Sequence, residues 1–300
     1  IYIGGGTPSV LPPELLRPYI AYADNNAEIT VEANPEDVTP EWAVALLRAG
    51  VNRVSLGVQS LIDTELSAVG RRHTARRAVD AVKTLRQTGF TNISLDLIYG
   101  LPEQTFDSWC RSLDGVLALN PEHLSAYLLS IEPGTRLHAR LSAGKFKESP
   151  DELIERMYDR LCDAASGAGF EHYEISNFAQ PGKRSRHNSA YWDFTPYLGL
   201  GPGAHSFDGK TRRFNPSDFK KYMQDPAKAF EIEAAEKHSL HNDKVFTALR
   251  TAEGLDPAIL TRSELEQARR QLTLTSAGRY RIIESQWLMS NSIISSFMRV

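Results

Sequence analysis

Short apolar runs rich in β-branched residues alternate with amphipathic helical patterns through the first two thirds of the chain. Helix signals accompany the helical stretches: Thr39 and Pro40 begin one helix, and Gly89 ends another. Strands that alternate with helices in this way form parallel sheets with crossover helices. We predict six strands from the apolar runs, at Ile1 to Gly4, Glu28 to Glu32, Arg53 to Val58, Ile93 to Ile98, His123 to Leu129 and His172 to Ile175.

This pattern predicts the α/β class and a partial (β/α)6 barrel of the TIM type. Periodicity alone does not separate such a barrel from a doubly wound sheet, but six visible strands favour the barrel. The sequence opens at Ile1 inside a predicted strand. An uncovered internal strand would leave a sheet edge unpaired, so we expect further sequence upstream of it.

The pattern changes from about Asp151 onwards. A long predicted helix to Ala168 is followed by an aromatic and glycine-rich stretch, Tyr173 to Phe207, and then by a helical tail with a short strand-like run at Leu272 to Thr275. We therefore predict a barrel domain over residues 1–207 and a C-terminal domain over residues 208–300. Helices followed by a small β element resemble a winged-helix appendage.

Composition narrows the class of protein. A chain of 300 residues suits one barrel plus an appendage, because α/β barrels run to about 250 residues. A net charge of −3 without a basic cluster argues against a nucleic-acid partner. No run approaches the roughly 18 apolar residues that a membrane span needs, and the two cysteines form no paired motif. We expect a cytoplasmic protein without a transmembrane segment.

Glycines and polar residues follow several predicted strands directly. In barrels of parallel strands the active site lies at the C-terminal ends of the strands, so these groups are candidates for ligand binding. Glycine backbone can lie against an amino-acid-like ligand, acids can accept from an ammonium or a ribose, and Gln59 and Arg71 can donate to a carboxylate. The alternative is that the glycines form an ordinary turn and the acids cap helices. The groups are Gly4 to Ser9, Glu32 to Pro35, Gln59 with Ser60, Asp96, and Gly100 to Pro102.

Six motifs together resemble a known family. The run IYIGGGTPS is followed by VEANP, GVNRVSLGVQS, GRRHT, SLDLIYGLPEQT and HLSAYLLSIEPGT. In order and spacing they resemble the radical S-adenosylmethionine (SAM) core of the oxygen-independent coproporphyrinogen III oxidase (dehydrogenase) and HemW family, over residues 1 to about 207. The resemblance implies SAM contacts at Gly5, Gly6, Thr7, Glu32, Gln59, Arg71 and Asp96; Arg72 adjoins Arg71.

The same resemblance implies a [4Fe-4S] cluster. In the family a CxxxCxxC loop after the first strand holds the cluster, whose open iron binds SAM and delivers the electron that cleaves it. We expect this loop upstream of Ile1. Cys110 and Cys162 lie far apart in helical patterns, and we interpret both as helix-packing thiols. The cluster ligands are therefore expected outside this chain.

The segment Arg186 to Trp192 looks like the HNxxYW motif of HemW-type proteins. A neutral imidazole at His187 would be a good axial ligand for haem iron, and Tyr191 and Trp192 offer flat apolar surface to a porphyrin. The alternative is a histidine hydrogen-bonded in a loop beside two aromatic residues that close the barrel. His205, in a flanking stretch, is a second candidate ligand.

Two functions of different classes follow from the resemblance. The first is a haem chaperone that binds haem and passes it to acceptor proteins such as respiratory haemoproteins. The second is a dehydrogenase that oxidatively decarboxylates porphyrinogen propionates through a 5′-deoxyadenosyl radical. The motif at His187 favours the chaperone. A third alternative is a barrel that has lost its cofactors.

Overall fold

A computed structural model describes residues 1–234 and 239–299. The described chain divides into two compact units, Ile1–Ser185 and Arg186–Val300, called unit 1 and unit 2 below. The HNxxYW segment therefore lies at the start of unit 2, whereas the predicted boundary after residue 207 grouped it with the barrel. The division into two domains at residue 207 therefore stays a prediction. Residues 235–238 and 300 lie outside the described part of the predicted C-terminal domain.

Unit 1 contains a seven-stranded sheet with helices between its strands. Its strands are β1 Tyr2–Ile3, β2 Thr30–Ala33, β3 Arg53–Gln59, β4 Ile93–Tyr99, β5 His123–Leu128, β6 Glu171–Glu174 and β7 Asn177–Ala179. Its helices are α1 Arg17–Ile20, α2 Pro40–Ala49, α3 Asp63–Ala68, α4 Ala75–Thr88, α5 Phe106–Leu117, α6 Arg136–Ser142 and α7 Asp151–Gly167, with 3-10 turns at Pro8–Val10, Pro13–Leu16 and Pro35–Asp37.

The first five strands run parallel in chain order, as the sequence pattern predicts. The sixth predicted strand is present as β6, but it joins the sheet differently. A turn at Ile175 and Ser176 reverses the chain, so that β7 pairs antiparallel with both β5 and β6. Because Asn177–Ala179 is only three residues long, no separate strand could be predicted there.

Helix signals read from the sequence are present in the structure. The Thr39 hydroxyl caps α2 by accepting from the Trp42 amide at 3.2 Å, and Gly89 ends α4 in the left-handed conformation at φ 113°. These ends set the lengths of the crossover helices.

The two faces of the unit 1 sheet differ in chemistry. One face is apolar and fully buried, with Val54, Leu56 and Leu95 among its residues. The other carries the alternate residues of the same strands, and these are polar although most are buried. Because residues paired in register share a face, the polar row runs across neighbouring strands. It includes Thr30, Arg53, Ser55, Ser94, Asp96, His123 and Ser125.

Unit 2 consists of short elements. Its helices are α8 Arg186–Trp192, α9 Phe219–Gln224, α10 Ser239–Ala248, α11 Arg262–Gln271 and α12 Ser290–Ser295, with 3-10 turns at Pro257–Ile259 and Glu284–Met289. Its strands are β8 His205–Phe207, β9 Arg212–Phe214, β10 Glu231–Ile232, β11 Thr273–Leu274 and β12 Tyr280–Arg281. Strands β8 to β10 form an antiparallel sheet that the sequence did not predict. The hairpin of β11 and β12 follows helices α10 and α11, as expected. Within the described residues, no helix is long and apolar enough to cross a membrane.

Candidate functional site

Three consecutive glycines follow β1 for two different reasons. A Cβ on Gly4 would lie 2.8 Å from the Glu32 carboxylate carbon, so only glycine fits there. Gly5 and Gly6 have φ values of 75° and 61°, in the left-handed region that favours glycine. A Cβ on either would meet nothing within 4 Å. The backbone of this turn is therefore open to a ligand.

Glu32, in β2, is held by the turn and by the first strand. Its Oε1 accepts a 2.7 Å hydrogen bond from the Tyr2 hydroxyl, and its Oε2 accepts from the Gly5 amide at 3.2 Å. Burial, followed by the Glu32 charge, raises the pKa of Tyr2 far above its usual value. Tyr2 is therefore a fixed donor, and Glu32 presents its remaining lone pairs beside the open glycines.

The end of the glycine turn is tied to β2 through Ser9. The Ser9 hydroxyl donates to Asp37 at 2.6 Å and accepts from the Asn34 amide at 3.2 Å. Thr7, the residue that precedes the Pro8–Val10 turn, makes no side-chain cap hydrogen bond. The Thr7 hydroxyl is therefore not used as a cap.

Asp96, in β4, is surrounded by serine hydroxyls. Ser55 donates to its carboxylate at 3.1 Å and Ser94 at 3.3 Å, and Ser125 is a further hydrogen-bond partner. Burial raises the pKa of Asp96 to about 6, although the hydrogen bonds from Ser125 and Ser55 and the charge of Arg53 oppose the rise. Above pH 6 the carboxylate is ionised and can only accept hydrogen bonds. The side chain keeps a partly exposed surface.

Arg71 and Arg72 point to different places. The Arg71 guanidinium donates to the Asn34 side chain at 3.2 Å, and the charges of Glu36 and Asp96 act on it. Burial lowers the pKa of Arg71. Arg72 instead pairs with Glu36 at 3.0 Å, with 70% of its side chain exposed. Arg71 is therefore the arginine that faces the strand ends.

Gln59 occupies a bulge at the end of β3. Its φ is 66°, and its side chain folds back over Gly57, where a Cβ would lie 2.8 Å from Nε2. Gln59 is buried. We call the site formed by the glycine turn, Glu32, Arg71 and Asp96 the strand-end site. The Gln59 amide lies within its wall and is less accessible than Glu32 and Asp96.

Most of the strand-end residues proposed from the sequence come together in unit 1. The charges of Glu32 and Arg53 act on Asp96, and that of Asp96 acts on Arg71. Two acids, one arginine and an open glycine backbone fit the ammonium, ribose and carboxylate groups of SAM. Sequence reasoning included Ser9 and Asn34 in the strand-end groups but missed the other residues that hold the site: Tyr2, Arg53, Ser55, Ser94 and Ser125. Polar residues at every second position of predicted strands were the available signal.

The two cysteines and His73 occupy structural positions. Cys110 lies on α5 and Cys162 on α7, and neither forms a disulfide. His73 is buried between the Val58 carbonyl at 3.1 Å and Glu36 at 3.2 Å. Across residues 1–234 and 239–299, no group of three or more histidine, cysteine or acidic side chains could hold a metal ion.

The HNxxYW segment of unit 2 forms the short helix α8. Residues four apart share one helix face, and the rings of His187 and Tyr191 accordingly meet edge to face at 4.8 Å. Tyr191 also meets Tyr197 edge to face at 4.7 Å. The segment is therefore helical, and its histidine packs on an aromatic cluster.

A cavity of about 370 Å³ lies within unit 2 beside this cluster. Arg212 and Asp243, an ion pair at 3.2 Å, supply its charged groups. The buried Nε1 of Trp192 has no acceptor among the described residues. Neither His187 nor His205 lines the cavity, and His205 is exposed on β8. The lining residues are mostly aromatic: Ala190, Tyr191, Trp192, Phe194, Tyr197, Phe207, Arg212, Asn242, Asp243, Phe246, Thr247 and Met298.

Comparison with known structures supports the fold predicted from the sequence. The profile of the radical SAM superfamily matches residues 1–114. The solved structure of coproporphyrinogen III oxidase HemN from Escherichia coli, a radical SAM enzyme, superposes with a TM-score of 0.79. It is 22% identical, and the match covers 99% of this chain and 77% of HemN. The radical SAM fold is thereby confirmed, and this family implies SAM and a [4Fe-4S] cluster.

Curated relatives identify the family more closely. The heme chaperone HemW of Mycobacterium tuberculosis strain H37Rv is 37% identical over 281 residues, which cover 89% of this chain and 71% of the relative. The heme chaperone HemW of Bacillus subtilis is 39% identical over 230 residues, covering 74% of this chain and 61% of the relative. The family resemblance read from the motifs is confirmed. The chain belongs to the HemW family of radical SAM proteins.

Proposed function

We propose that this chain provides the SAM-binding and haem-binding parts of a haem chaperone, which binds haem and transfers it to haem-requiring acceptor proteins. The observation that carries the proposal is the aromatic cavity of unit 2. Two residues of the HNxxYW segment, Tyr191 and Trp192, line it. Aromatic walls suit a flat apolar macrocycle such as a porphyrin. The names of the similar HemW proteins support the same function.

Groups of the cavity lining, together with His187 beside Tyr191, have specific roles in this proposal. The imidazole of His187 would supply a nitrogen ligand to haem iron, and its contact with Tyr191 orients the ring. The Trp192 N–H, which has no acceptor among residues 1–234 and 239–299, donates to a ligand oxygen. Arg212 offers a guanidinium to a carboxylate. A cavity of about 370 Å³ accommodates part of a haem and leaves the remainder exposed for transfer.

In unit 1, we assign SAM to the strand-end site. Glu32 and Asp96 accept hydrogen bonds from its ammonium and hydroxyl groups, and Gln59 and Arg71 contribute donors. Gly5 and Gly6 offer open backbone, apart from the Gly5 amide that donates to Glu32, and Thr7 offers a hydroxyl that is not used as a helix cap. When bound, the cluster and SAM would supply one-electron chemistry.

The proposed partners are haem and haem acceptors such as respiratory haemoproteins, and the proposed location is the cytoplasm. Haem in transit between proteins must be held by a carrier, because its apolar faces are poorly solvated by water. A partly enclosed site suits a carrier, because the acceptor must reach the haem.

Haem titration of the full-length protein tests the proposal. We expect a Soret band characteristic of histidine-ligated iron, and we expect His187→Ala to shift this band or to weaken binding. Tyr191→Ala and Trp192→Ala should weaken binding more mildly, because part of the aromatic wall remains. His205→Ala is the matched control, since His205 is exposed on β8 and, unlike His187, is not in ring contact with Tyr191 of the cavity lining.

Two outcomes would contradict the chaperone function. A haem spectrum that is indifferent to His187 would remove the proposed ligand. Robust conversion of coproporphyrinogen to protoporphyrinogen with SAM and a reductant would instead assign the chain to the dehydrogenases. We expect no such conversion.

A further inference from the structure

Three buried polar side chains form a line across the polar face of unit 1. The Tyr173 hydroxyl lies 2.8 Å from Nε2 of His123, and Nδ1 of His123 lies 2.8 Å from the Ser94 hydroxyl. The Ser94 hydroxyl lies 3.3 Å from Oδ1 of Asp96. His123 and Ser94 are 0% exposed and Tyr173 is 2% exposed. The line therefore leads from β6 through β5 to the strand-end site on β4.

The direction of every hydrogen bond in this line can be assigned. Burial, aided by the positive charge of Arg53, lowers the pKa of His123 well below its usual value, so the imidazole is neutral. It then has one N–H and one acceptor nitrogen. Burial raises the pKa of Tyr173, and the Ser185 backbone donates to its oxygen, so its hydroxyl donates onward.

The far end of the line fixes the same direction. Ionised Asp96 can only accept, so the Ser94 hydroxyl donates to it and must itself accept from His123. His123 therefore carries its proton on Nδ1 and accepts from Tyr173 at Nε2. A single order of donors, from Tyr173 to His123 to Ser94 to Asp96, satisfies all four groups.

We propose that Tyr173, acting through His123 and Ser94, is a positioning residue for the Asp96 carboxylate and hence for SAM. The tyrosine hydroxyl selects the Nδ1–H tautomer of His123, and this tautomer makes Ser94 a donor to Asp96. Without the hydroxyl, His123 can carry its proton on Nε2, and Ser94 then turns its own proton towards the imidazole. Asp96 loses a donor in that arrangement. The inference rests on the proposed assignment of SAM to Asp96.

Loss of this donor should change the pH dependence of SAM binding. A hydrogen bond to the charged form favours ionisation, so its loss raises the pKa of Asp96 above the value of about 6. Other charged and titratable groups around Asp96 remain in place and set the background. They are Tyr2 on β1, Glu32 on β2, Arg53 on β3, Arg71 after α3 and Tyr127 on β5.

The test compares Tyr173→Phe with Tyr158→Phe in the full-length protein. Tyr158 is also buried in unit 1 and donates one hydrogen bond, to the Ile175 carbonyl at 3.2 Å, but it lies outside the line. SAM affinity is measured by calorimetry from pH 5.5 to 8.5. We expect Tyr173→Phe to raise the pH midpoint by about 0.5–1 unit, with a loss of about threefold to tenfold below the midpoint. Tyr158→Phe should leave the midpoint unchanged.

A second variant tests whether Tyr173 acts through the hydrogen-bonded line, which we call the relay, or only through its packing. Ser94→Ala removes the last donor directly and should shift the midpoint in the same direction. If the two residues act in series, Tyr173→Phe should add nothing further to Ser94→Ala. Additive shifts, or a midpoint that Tyr173→Phe leaves unchanged, would overturn the proposal.

Nitrogen chemical shifts of labelled histidine test the relay without any ligand. In the unmodified protein His123 should show the Nδ1–H tautomer, and Tyr173→Phe should add the Nε2–H form. An Nε2–H tautomer in the unmodified protein would overturn the inference even if SAM binds. Conversely, an Nδ1–H tautomer in a protein that does not bind SAM would refute the assignment of the SAM site and leave the relay intact.

Discussion

The hydroxyl of Tyr2 donates a 2.7 Å hydrogen bond to Oε1 of Glu32, across the first two strands of the sheet. Burial keeps the phenol protonated, because the pKa of Tyr2 is raised far above its usual value. Tyr2 therefore remains a hydrogen-bond donor, and it holds the carboxylate in one orientation. The amide of Gly5 fixes the second oxygen. Glu32 is thus positioned before any ligand arrives.

We expect Glu32→Ala to weaken SAM binding by about tenfold to a hundredfold, because hydrogen bonds to a charged group contribute about 1.5–3 kcal/mol. Tyr2→Phe should have a smaller effect, since the carboxylate remains but its orientation is less restricted. Calorimetric titration of the full-length protein with SAM measures both. Glu14→Ala is the control, because Glu14 is exposed on the Pro13–Leu16 turn. Unchanged affinity in Glu32→Ala would place SAM elsewhere.

The two adjacent arginines provide a matched pair of variants. Arg71→Ala should weaken SAM binding, since its guanidinium faces Asn34 and the strand ends. Arg72→Ala should leave SAM affinity within about twofold, because Arg72 is largely exposed and pairs with Glu36. Exposed ion pairs of this kind contribute only about 0.2–1 kcal/mol to stability. Equal losses in both variants, measured by calorimetry, would refute the distinction.

The fold could be predicted from the sequence because its signals are local. The β-branched runs of β3 and β4 and the caps at Thr39 and Gly89 each determine an element within a few residues. The antiparallel position of β7 could not be predicted in this way. It depends on a pairing of His123 with Ala179, which are far apart in the sequence and show no shared local pattern.

The candidate site was only partly predictable for a related reason. Residues that follow strands, such as Glu32 and Asp96, could be singled out because strand ends meet at one edge of a parallel sheet. Their supporting groups could not. Ser94 and His123 become partners through the register of β4 with β5, which the sequence does not specify. Polar alternation in the strands indicated only that such a face exists.

The buried carboxyl of Asp96 should make the ligand-free protein less stable as the pH rises. Its pKa is about 6 in the folded protein, against a reference value of 3.8 for the unfolded chain. Between these pH values the folded state therefore binds more protons than the unfolded state. Stability therefore falls as the pH rises from about 4 to 6, and the cost, up to about 3 kcal/mol, is fully present above pH 6.

Asp96→Asn removes this cost. We expect the free energy of unfolding of the variant to exceed that of the unmodified protein at pH 8, with an advantage that shrinks as the pH falls towards 5. SAM affinity should fall in the same variant, because the amide cannot replace the charge. Denaturant unfolding across this pH range checks the first effect. Asp24→Asn, at an exposed position, is the control. An advantage independent of pH would contradict the raised pKa.

Trp192 offers a similar opposition between stability and binding in unit 2. Its buried Nε1–H has no acceptor among the described residues, and an unsatisfied buried donor costs about 1–3 kcal/mol. Trp192→Phe removes the donor but keeps an aromatic ring in the cavity wall. We therefore expect the ligand-free variant to unfold at a higher denaturant concentration than the unmodified protein, although the smaller ring offsets part of the gain.

Haem affinity should change in the opposite direction in Trp192→Phe, because the proposed donor to a haem oxygen is lost. Trp109→Phe is the matched control. The Trp109 indole donates to the Met157 carbonyl at 2.9 Å inside unit 1, so its replacement should lower stability and leave haem affinity unchanged. Denaturant unfolding and haem titration of both variants check the pair. If Trp192→Phe lowered stability without affecting haem binding, the indole would be a packing residue and the cavity would need another occupant.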